Sequence, residues 1–326
     1  MKGAPRLADP LGEALHFLRM TGSFYCRSEL TAPWALALPA AEGCAAFHVV
    51  TAGRCWLEVE GAQKRQLVPG DLALVPHGTG HRLSSDPRVR AAKLDELVHE
   101  QISDRYAVLR HGGGGAHTSL VCGVVGFDHP AARQLIALLP AVIHVEGDDA
   151  SDWLASTLRF MATEAQSQRP GGETVITRLA DILVIQAIRA WIERDPAAQT
   201  GWLGALQDPQ LGRAIALVHR DPTQPWSLAS LAAEVGMSRS AFAARFTTMV
   251  GEPAMHYVAR WRMHLALTWL REQELGVAET ATKLGYQSEA AFSRAFKRYV
   301  GIAPGSVRKE PTAGLRIAPV PTSLAG

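Results

Sequence analysis

Cysteine is scarce in this chain and is not paired for chemistry. The 326 residues hold four, Cys26, Cys44, Cys55 and Cys122, all in the first 122 positions and none in a C-x-x-C arrangement. With nothing to indicate export, they read as reduced thiols. Long apolar runs are missing too. Met1 to Pro10 lacks the apolar core of a signal peptide, and the most apolar region, Thr118 to Val145, is broken by Asp128, His129 and Arg133. Nothing approaches the roughly 18 to 20 uncharged apolar residues of a spanning helix. A membrane role is therefore not expected, and the cytoplasm is. A strong overall charge is also absent, the formal net being +2. That balance hides an asymmetry, because Asp208 to Glu310 carries 13 Lys and Arg against 9 Asp and Glu. The basic end is the one to test against nucleic acid.

What is present is ordinary globular material, 47% hydrophobic and 20% charged, in a length that suits two or three domains with cores of their own. Short alternating runs fill the first part: Phe47 to Val50, Cys55 to Glu60 and Asp71 to Val75, separated by turns at Gly53, Gly61 and Gly70. They predict antiparallel strands of a small barrel or sandwich. From about Pro130 the period changes. Trp153, Leu154, Leu158 and Met161, then Leu179, Ile182, Ile185, Ile188 and Ile192, recur at helical steps. Leu183, Val184 and Trp191 fall off the second stripe, so that helix is apolar over most of its circumference and should be buried on several sides, by its own domain or by a second subunit. Breaks at Arg110 to Ala116, Pro170 to Gly172 and Asp195 to Gly204 mark loops, the last a domain boundary.

One pattern repeats at an offset of about 50 residues. Ser227 to Ser238 followed by Arg239 to Gly251 is matched by Val277 to Ser288 followed by Glu289 to Gly301. In each copy a short apolar-striped helix ends at a glycine, a serine able to cap the next helix follows, and that helix carries phenylalanines one turn apart, Phe242 and Phe246 or Phe292 and Phe296. Small alanines at 232, 233 and 281 allow close approach. This is helix-turn-helix geometry twice over.

The second copy, L-G-Y-Q-S-E-A-A-F-S-R-A-F-K-R-Y-V-G-I-A-P, closely resembles the signature of AraC/XylS transcription regulators, and Arg260-Trp261-Arg262-Met263 followed by Ala266 and Leu270 resembles the family's linker helix joining the two units. The resemblance covers roughly residues 208 to 309; Gly251-Glu252-Pro253 is one residue shorter than Gly301 to Pro304. It implies that each second helix enters a major groove, the two grooves about one turn, ~34 Å, apart. The residues expected at DNA are Ser238, Arg239, Ser240 and Arg245 in the first unit and Ser288, Glu289, Arg294, Lys297 and Arg298 in the second, with Arg308 and Lys309 as further phosphate contacts. Arg294 is the favoured base reader, because a guanidinium binds guanine bidentately. Alanines at 243 and 244 leave the first unit few long polar side chains there. Partners implied are double-stranded promoter DNA, a small-molecule effector, a second copy of the chain, and RNA polymerase as a further candidate.

Upstream, Gly70-x5-Pro76-x-Gly78-x2-His81 resembles the second cupin motif. A metal-binding cupin also carries H-x-H and a downstream Glu in its first motif, and here only His48 is present, with Ala46 two positions before it. The incomplete set speaks against an oxygenase or isomerase, so no enzymatic activity is expected. Two uses of the interior remain: an effector pocket lined by Trp34, Phe47, His48, Trp56, His77 and His81, or a soft-metal site, zinc included, drawn from His48, Cys55, His81 and Cys122. The same histidines and cysteines can instead be ordinary core residues. His111-Gly-Gly-Gly-Gly-Ala-His117 reads as a mobile loop rather than a phosphate site.

The expected fold is α+β and multidomain: a cupin-like β-barrel for sensing at 1–127, a helical linker and dimerisation region at 128–204, an all-α double helix-turn-helix at 205–310, and a flexible tail at 311–326. The expected function is a sequence-specific transcriptional regulator that raises or lowers transcription in response to a small molecule or metal. The alternatives are a cupin-type metal-dependent enzyme and a DNA-binding protein without a ligand.

Overall fold

The computed structural model describes Gly12 and residues 20–307 apart from 104, 128–129, 148–150, 168 and 273–274. The expected tail, Arg308 and Lys309 lie outside the described residues. The chain divides into two compact units, one of residues 19–128 with 133–193 and the other centred on 194–313.

The first unit is built on two sheets. The larger has seven strands in the order β12-β6-β3-β11-β1-β10-β9, where β1 is Met20–Thr31, β3 Cys44–Ala52, β6 Leu72–Val75, β9 His99–Ser103, β10 Tyr106–Gly112, β11 His117–Phe127 and β12 Ile143–Val145. The smaller has five in the order β5-β4-β7-β2-β8, with β2 Ala35–Leu38, β4 Cys55–Val59, β5 Arg65–Leu67, β7 His81–Ser84 and β8 Ala92–Lys93. They are separate sheets, not the closed barrel expected. They share one apolar interior: Leu30, Ala46, Val50, Ala73, Val75, Leu109 and Leu120 from the larger meet Leu36, Cys55, Leu57, Val59, Leu67 and Leu83 from the smaller. Fourteen buried side chains form this cluster, and each Å² of apolar surface it removes from water contributes about 25 cal/mol.

The cupin-motif glycine, Gly78, shows why that position takes no side chain. Its φ is +62°, and a Cβ there would sit 1.9 Å from the Ala41 carbonyl oxygen. The glycine run after β10 is not a free loop. Gly113 N–H donates to the Thr31 carbonyl at 2.8 Å, Gly115 N–H to the Ala32 carbonyl at 2.7 Å and Gly114 N–H to Thr31 Oγ1 at 3.0 Å. A Cβ at Gly112 would lie 1.9 Å from Thr31 O, so the run is glycine in order to lie against the backbone at Thr31 to Pro33.

Helices α1 (Pro130–Ala137), α2 (Ser151–Ser167) and α3 (Gly172–Arg194) follow. The buried face of α3 carries Ile176, Ala180, Leu183, Val184, Ala187, Ile188 and Ile192, while Ile182 is 44% exposed. The stripe is therefore rotated from the expected one. The helix is apolar over most of its circumference, with its exposed side running along Arg178, Ile182, Arg189 and Glu193.

The second unit is all-α: α4 (Gly201–Gln207), α5 (Pro209–Arg220), α6 (Leu228–Glu234), α7 (Arg239–Val250), α8 (Ala254–Glu272), α9 (Val277–Lys283) and α10 (Glu289–Val300). The stretch 195–204 lies within this unit as a 3-10 turn, Pro196–Gln199, and the start of α4, whose Trp202, Leu203, Ala205 and Leu206 are buried.

Candidate nucleic-acid interface and sensing interior

The two helix pairs α6–α7 and α9–α10 are made by the same local rules. Val235 and Leu284 close the first helices, and Gly236 (φ +67°) and Gly285 (φ +78°) turn the chain in the left-handed region. Ser238 Oγ then accepts from Ala241 N–H and Ser288 Oγ from Ala291 N–H, each at 3.2 Å, which satisfies one otherwise orphaned donor of each second helix. The ring centroids of Phe242 and Phe246 lie 5.6 Å apart, as do those of Phe292 and Phe296, and all four rings are buried. With those rings facing inward, α7 exposes Arg239, Ser240, Ala244 and Arg245, and α10 exposes Glu289, Ala290, Arg294, Lys297 and Arg298; both serine caps are exposed.

The halves differ in charge. At the fifty-residue offset, Arg294, Lys297 and Arg298 of α10 stand where α7 has Ala244, Thr247 and Thr248. In α7, Arg245 is already engaged. Its NH1 donates to Gln210 Oε1 at 2.9 Å and its NH2 is paired with Asp208. The arginines of the α8 motif are likewise spent within the unit. Arg260 pairs with Glu252 at 2.5 Å, and Arg262 donates to the carbonyls of Pro222 and Gln224, both at 2.7 Å. Tyr257 on the same helix accepts from Trp202 Nε1 at 2.9 Å and lies 2.7 Å from His219 Nε2, while Trp261 stacks on the His219 ring at 3.6 Å. Burial pushes the Tyr257 hydroxyl up from its ordinary range, which keeps it protonated.

In the first unit the interior between the sheets is mostly apolar, with Ser28 and the Trp34 indole N–H among its buried polar groups and one polar pair spanning the two sheets. His48 of β3 and His81 of β7 meet Nε2 to Nε2 at 2.7 Å, both buried. His81 Nδ1 lies 2.9 Å from the Thr79 carbonyl, an acceptor, so Nδ1 carries the proton. In the neutral pair His81 Nε2 is then the acceptor and His48 Nε2 the donor. This leaves His48 Nδ1 as a buried acceptor with no partner among the described residues. Burial first, then the neighbouring His81, hold His48 well below the usual imidazole range; burial also lowers His81, against the opposing bond to Thr79.

Cross-strand register places Cys122 of β11 and Ala73 of β6 on either side of His48, with Cys26 of β1 beyond Cys122. The metal set expected from sequence does not assemble. Among the described residues no three His, Cys, Asp or Glu side chains come together to hold an ion. Burial also keeps the thiols protonated. Cys122 is raised well above its ordinary value, with Cys26 and Cys55 adding to the shift, and Cys55 is pushed up to about 12 by burial and Asp71. Buried thiols of this kind are poor ligands. The donor set does not fit a resident metal.

The interior also receives fewer of the expected lining residues. His48, His81 and Trp34 are buried there or beside it. Phe47 alternates to the other face of β3, where its ring covers Gly123; a Cβ at Gly123 would lie 2.3 Å from Phe47 Cε1. Trp56 alternates to the outer face of β4 and is half-buried. His77 is exposed and lies 2.9 Å from the Leu139 carbonyl.

A family model described as a cupin matches residues 9–193, more than half of the chain, and one described as a helix-turn-helix domain matches residues 231–310. An AraC-like transcription regulator of Streptomyces lividans is 35% identical over 310 residues, covering 93% of this chain and 99% of that one. The chain belongs to the AraC-like transcription regulators. The HTH-type transcriptional regulator AlkR of Acinetobacter baylyi is 30% identical over 308 residues, 93% of this chain and 99% of its own. Among solved structures, the DNA-binding domain of AdpA in complex with a target DNA is 26% identical, covering 30% of this chain and 87% of that one, with a TM-score of 0.29.

A cupin-type unit precedes a DNA-binding helix-turn-helix unit, and the function is transcriptional regulation through DNA. No helix among the described residues is long and apolar enough to cross a membrane. Sequence reasoning missed the partners that orient the site: the Thr79 carbonyl behind His81, and Asp208 and Gln210 behind Arg245. Asp208-Pro209 did carry a legible signal, an N-cap followed by proline at the first helical position, and Asp208 Oδ1 accepts from Gln210 N–H at 3.0 Å and Leu211 N–H at 2.9 Å.

Proposed function

We propose that this regulator binds promoter DNA in the cytoplasm as a homodimer, reads it with α7 and α10, and has its binding modulated by a small molecule held between the two sheets. No enzymatic step is assigned to it. The reading at DNA rests on Ser238, Arg239 and Ser240 of the first unit and Ser288, Glu289, Arg294, Lys297 and Arg298 of the second, all exposed on the helices that follow the turns.

The observation that carries the sensing role is the His48–His81 pair. A buried, oriented polar pair in a mostly apolar interior, ending in an unpartnered acceptor, offers a hydrogen-bonding point to an apolar molecule that brings a donor. For such a molecule to regulate, it must bind the DNA-competent arrangement with a different affinity from the other. Support for the dimer comes from α3, whose Ile182 is exposed beside half-buried Leu179 and Ile185.

The test is a thermal-shift screen of the full chain against small neutral compounds and metal salts, repeated on His48→Ala and His81→Gln. Compounds that stabilise the parent and alter its affinity for DNA should do neither in the variants, which retain DNA binding. An effector response that survives both substitutions overturns the placement.

A further inference from the structure

Two side chains at the start of α5 hold both helices of the first helix-turn-helix. Asp208 uses one carboxylate oxygen to cap α5 and the other to pair with Arg245 of α7. Gln210 uses both ends of its amide: Oε1 accepts from Arg245 NH1 at 2.9 Å, and Nε2 donates to the Val235 carbonyl, the C-cap of α6, at 2.9 Å. A second bridge between α5 and α6 runs from Arg213 to Glu234 at 3.6 Å. One residue pair on α5 thus grips α6 at its last turn and α7 at its middle.

We propose that Arg245 is a positioning residue of the first reading helix rather than a DNA contact: its guanidinium, clamped by Asp208 and Gln210, sets the angle at which α7 meets the first half-site. Two independent observations carry this. Both terminal nitrogens of the guanidinium engage α5 or its cap, NH1 by a hydrogen bond to Gln210 and NH2 by an ion pair with Asp208. The equivalent position in the second copy, Ala295, faces the body of the protein, packed against the cluster of Met263, Ala266, Leu284 and Phe296. Arg245 sits at the same register of α7, about 100° round the helix from Ala244, and although its side chain is 43% exposed its guanidinium is drawn along α5. The second helix-turn-helix is held at this point by apolar packing and the first by a polar clamp. Orientation in the first unit therefore depends on charge.

The proposal rests on α7 being a reading helix, and the variants separate the two. The full chain is compared on the duplex it selects from a random pool, with affinity measured against salt and each half-site mapped by hydroxyl-radical footprinting. Asp208→Asn removes the charge and keeps a capping side chain; Arg245→Gln removes the cation. Each is expected to weaken binding about three- to tenfold, with protection lost at one half-site only and the log–log salt slope unchanged. The double variant should be no weaker than either single one, the signature of a shared interaction. Arg239→Ala, at the exposed start of α7, should instead reduce the slope by about 0.9, one phosphate's worth.

Arg245→Gln lowering the slope by about 0.9 while Asp208→Asn leaves affinity unchanged or higher would show that Arg245 touches DNA. Losses that multiply in the double variant would also overturn the clamp. If Arg245→Gln does not fold, Asp208→Asn decides alone: weaker binding at one half-site supports the clamp, and unchanged or tighter binding refutes it. No effect of Arg239→Ala would remove α7 as a reader, and this proposal with it.

Discussion

Ala244 and Arg294 occupy the same place in two helices of one plan: both are exposed, and each stands two residues after one buried phenylalanine and two before the next. The scaffold is common and the chemistry is not. Replacing Arg294 by Ala should cost about 1–3 kcal/mol at one base position and relax preference there more than Arg239→Ala does. Ala244→Arg should steepen the salt slope by about 0.9 with little gain in selectivity. Binding-site selection with each variant checks both. Equal effects of the Arg294 and Arg239 substitutions would show that the dominant reader lies elsewhere.

The histidine pair makes stability fall with acid. Both imidazoles are held below their ordinary value in the folded chain, so above about pH 6.5 they are neutral in both states and their contribution is complete. As pH falls below 6.5 the unfolded chain binds protons first. Stability is then lost at up to about 1.4 kcal/mol per pH unit for each histidine, until the folded pKa is reached. Urea unfolding of the full chain at pH 7.5 and 5.5 should show the loss, and His48→Gln should reduce it. The same pH dependence in parent and variant would place the acid-sensitive groups elsewhere.

Gly78→Ala should unfold the first unit or shift its backbone. The added Cβ meets the Ala41 carbonyl at 1.9 Å on a residue already at φ +62°. Gly43→Ala, at φ +74° with open space around it, carries the conformational cost alone. A clearly lower melting temperature for the first than for the second is expected; equal values would mean that the turn yields freely.

Tyr257→Phe should destabilise the DNA-binding unit by about 1–3 kcal/mol, because it strands the buried Trp202 Nε1 donor and removes the hydroxyl beside His219 Nε2. Denaturant unfolding followed by tryptophan fluorescence reads this directly. The double variant with Trp202→Phe should recover the part of the loss that comes from the stranded indole donor, while His219 Nε2 still lacks its hydroxyl; strict additivity would argue against a shared bond.

The double helix-turn-helix was legible because its signals are local. A glycine, a capping serine and two phenylalanines one turn apart specify each turn within about a dozen residues, and the structure shows those roles at Gly236, Ser238, Phe242 and Phe246. The sandwich was legible as strands and less so as faces. Residues Ala45 to Val50 are buried at every position, because both faces of the larger sheet are covered, so alternation could not say that His48 looks into the interior and Phe47 away from it. The stripe of α3 failed for the same reason, with apolar residues over most of its circumference. Contacts such as Gln210 with Val235 and Arg245 join residues 25 and 35 positions apart and leave no periodic trace. The resemblance placed Arg245 at DNA and Arg260 and Arg262 in a linker helix; the carboxylate and carbonyl partners of all three become visible only in three dimensions.

The central claim is that α7 and α10 together read DNA sequence, and selection from a random duplex pool by the full-length protein tests it most directly. The expected product is a bipartite site whose halves lie about one helical turn, ~34 Å, apart, bound at least ~10³-fold more tightly than bulk DNA. It should lose one half with Arg294→Ala. Failure to enrich any sequence, or a single uninterrupted element indifferent to Arg294, would contradict it.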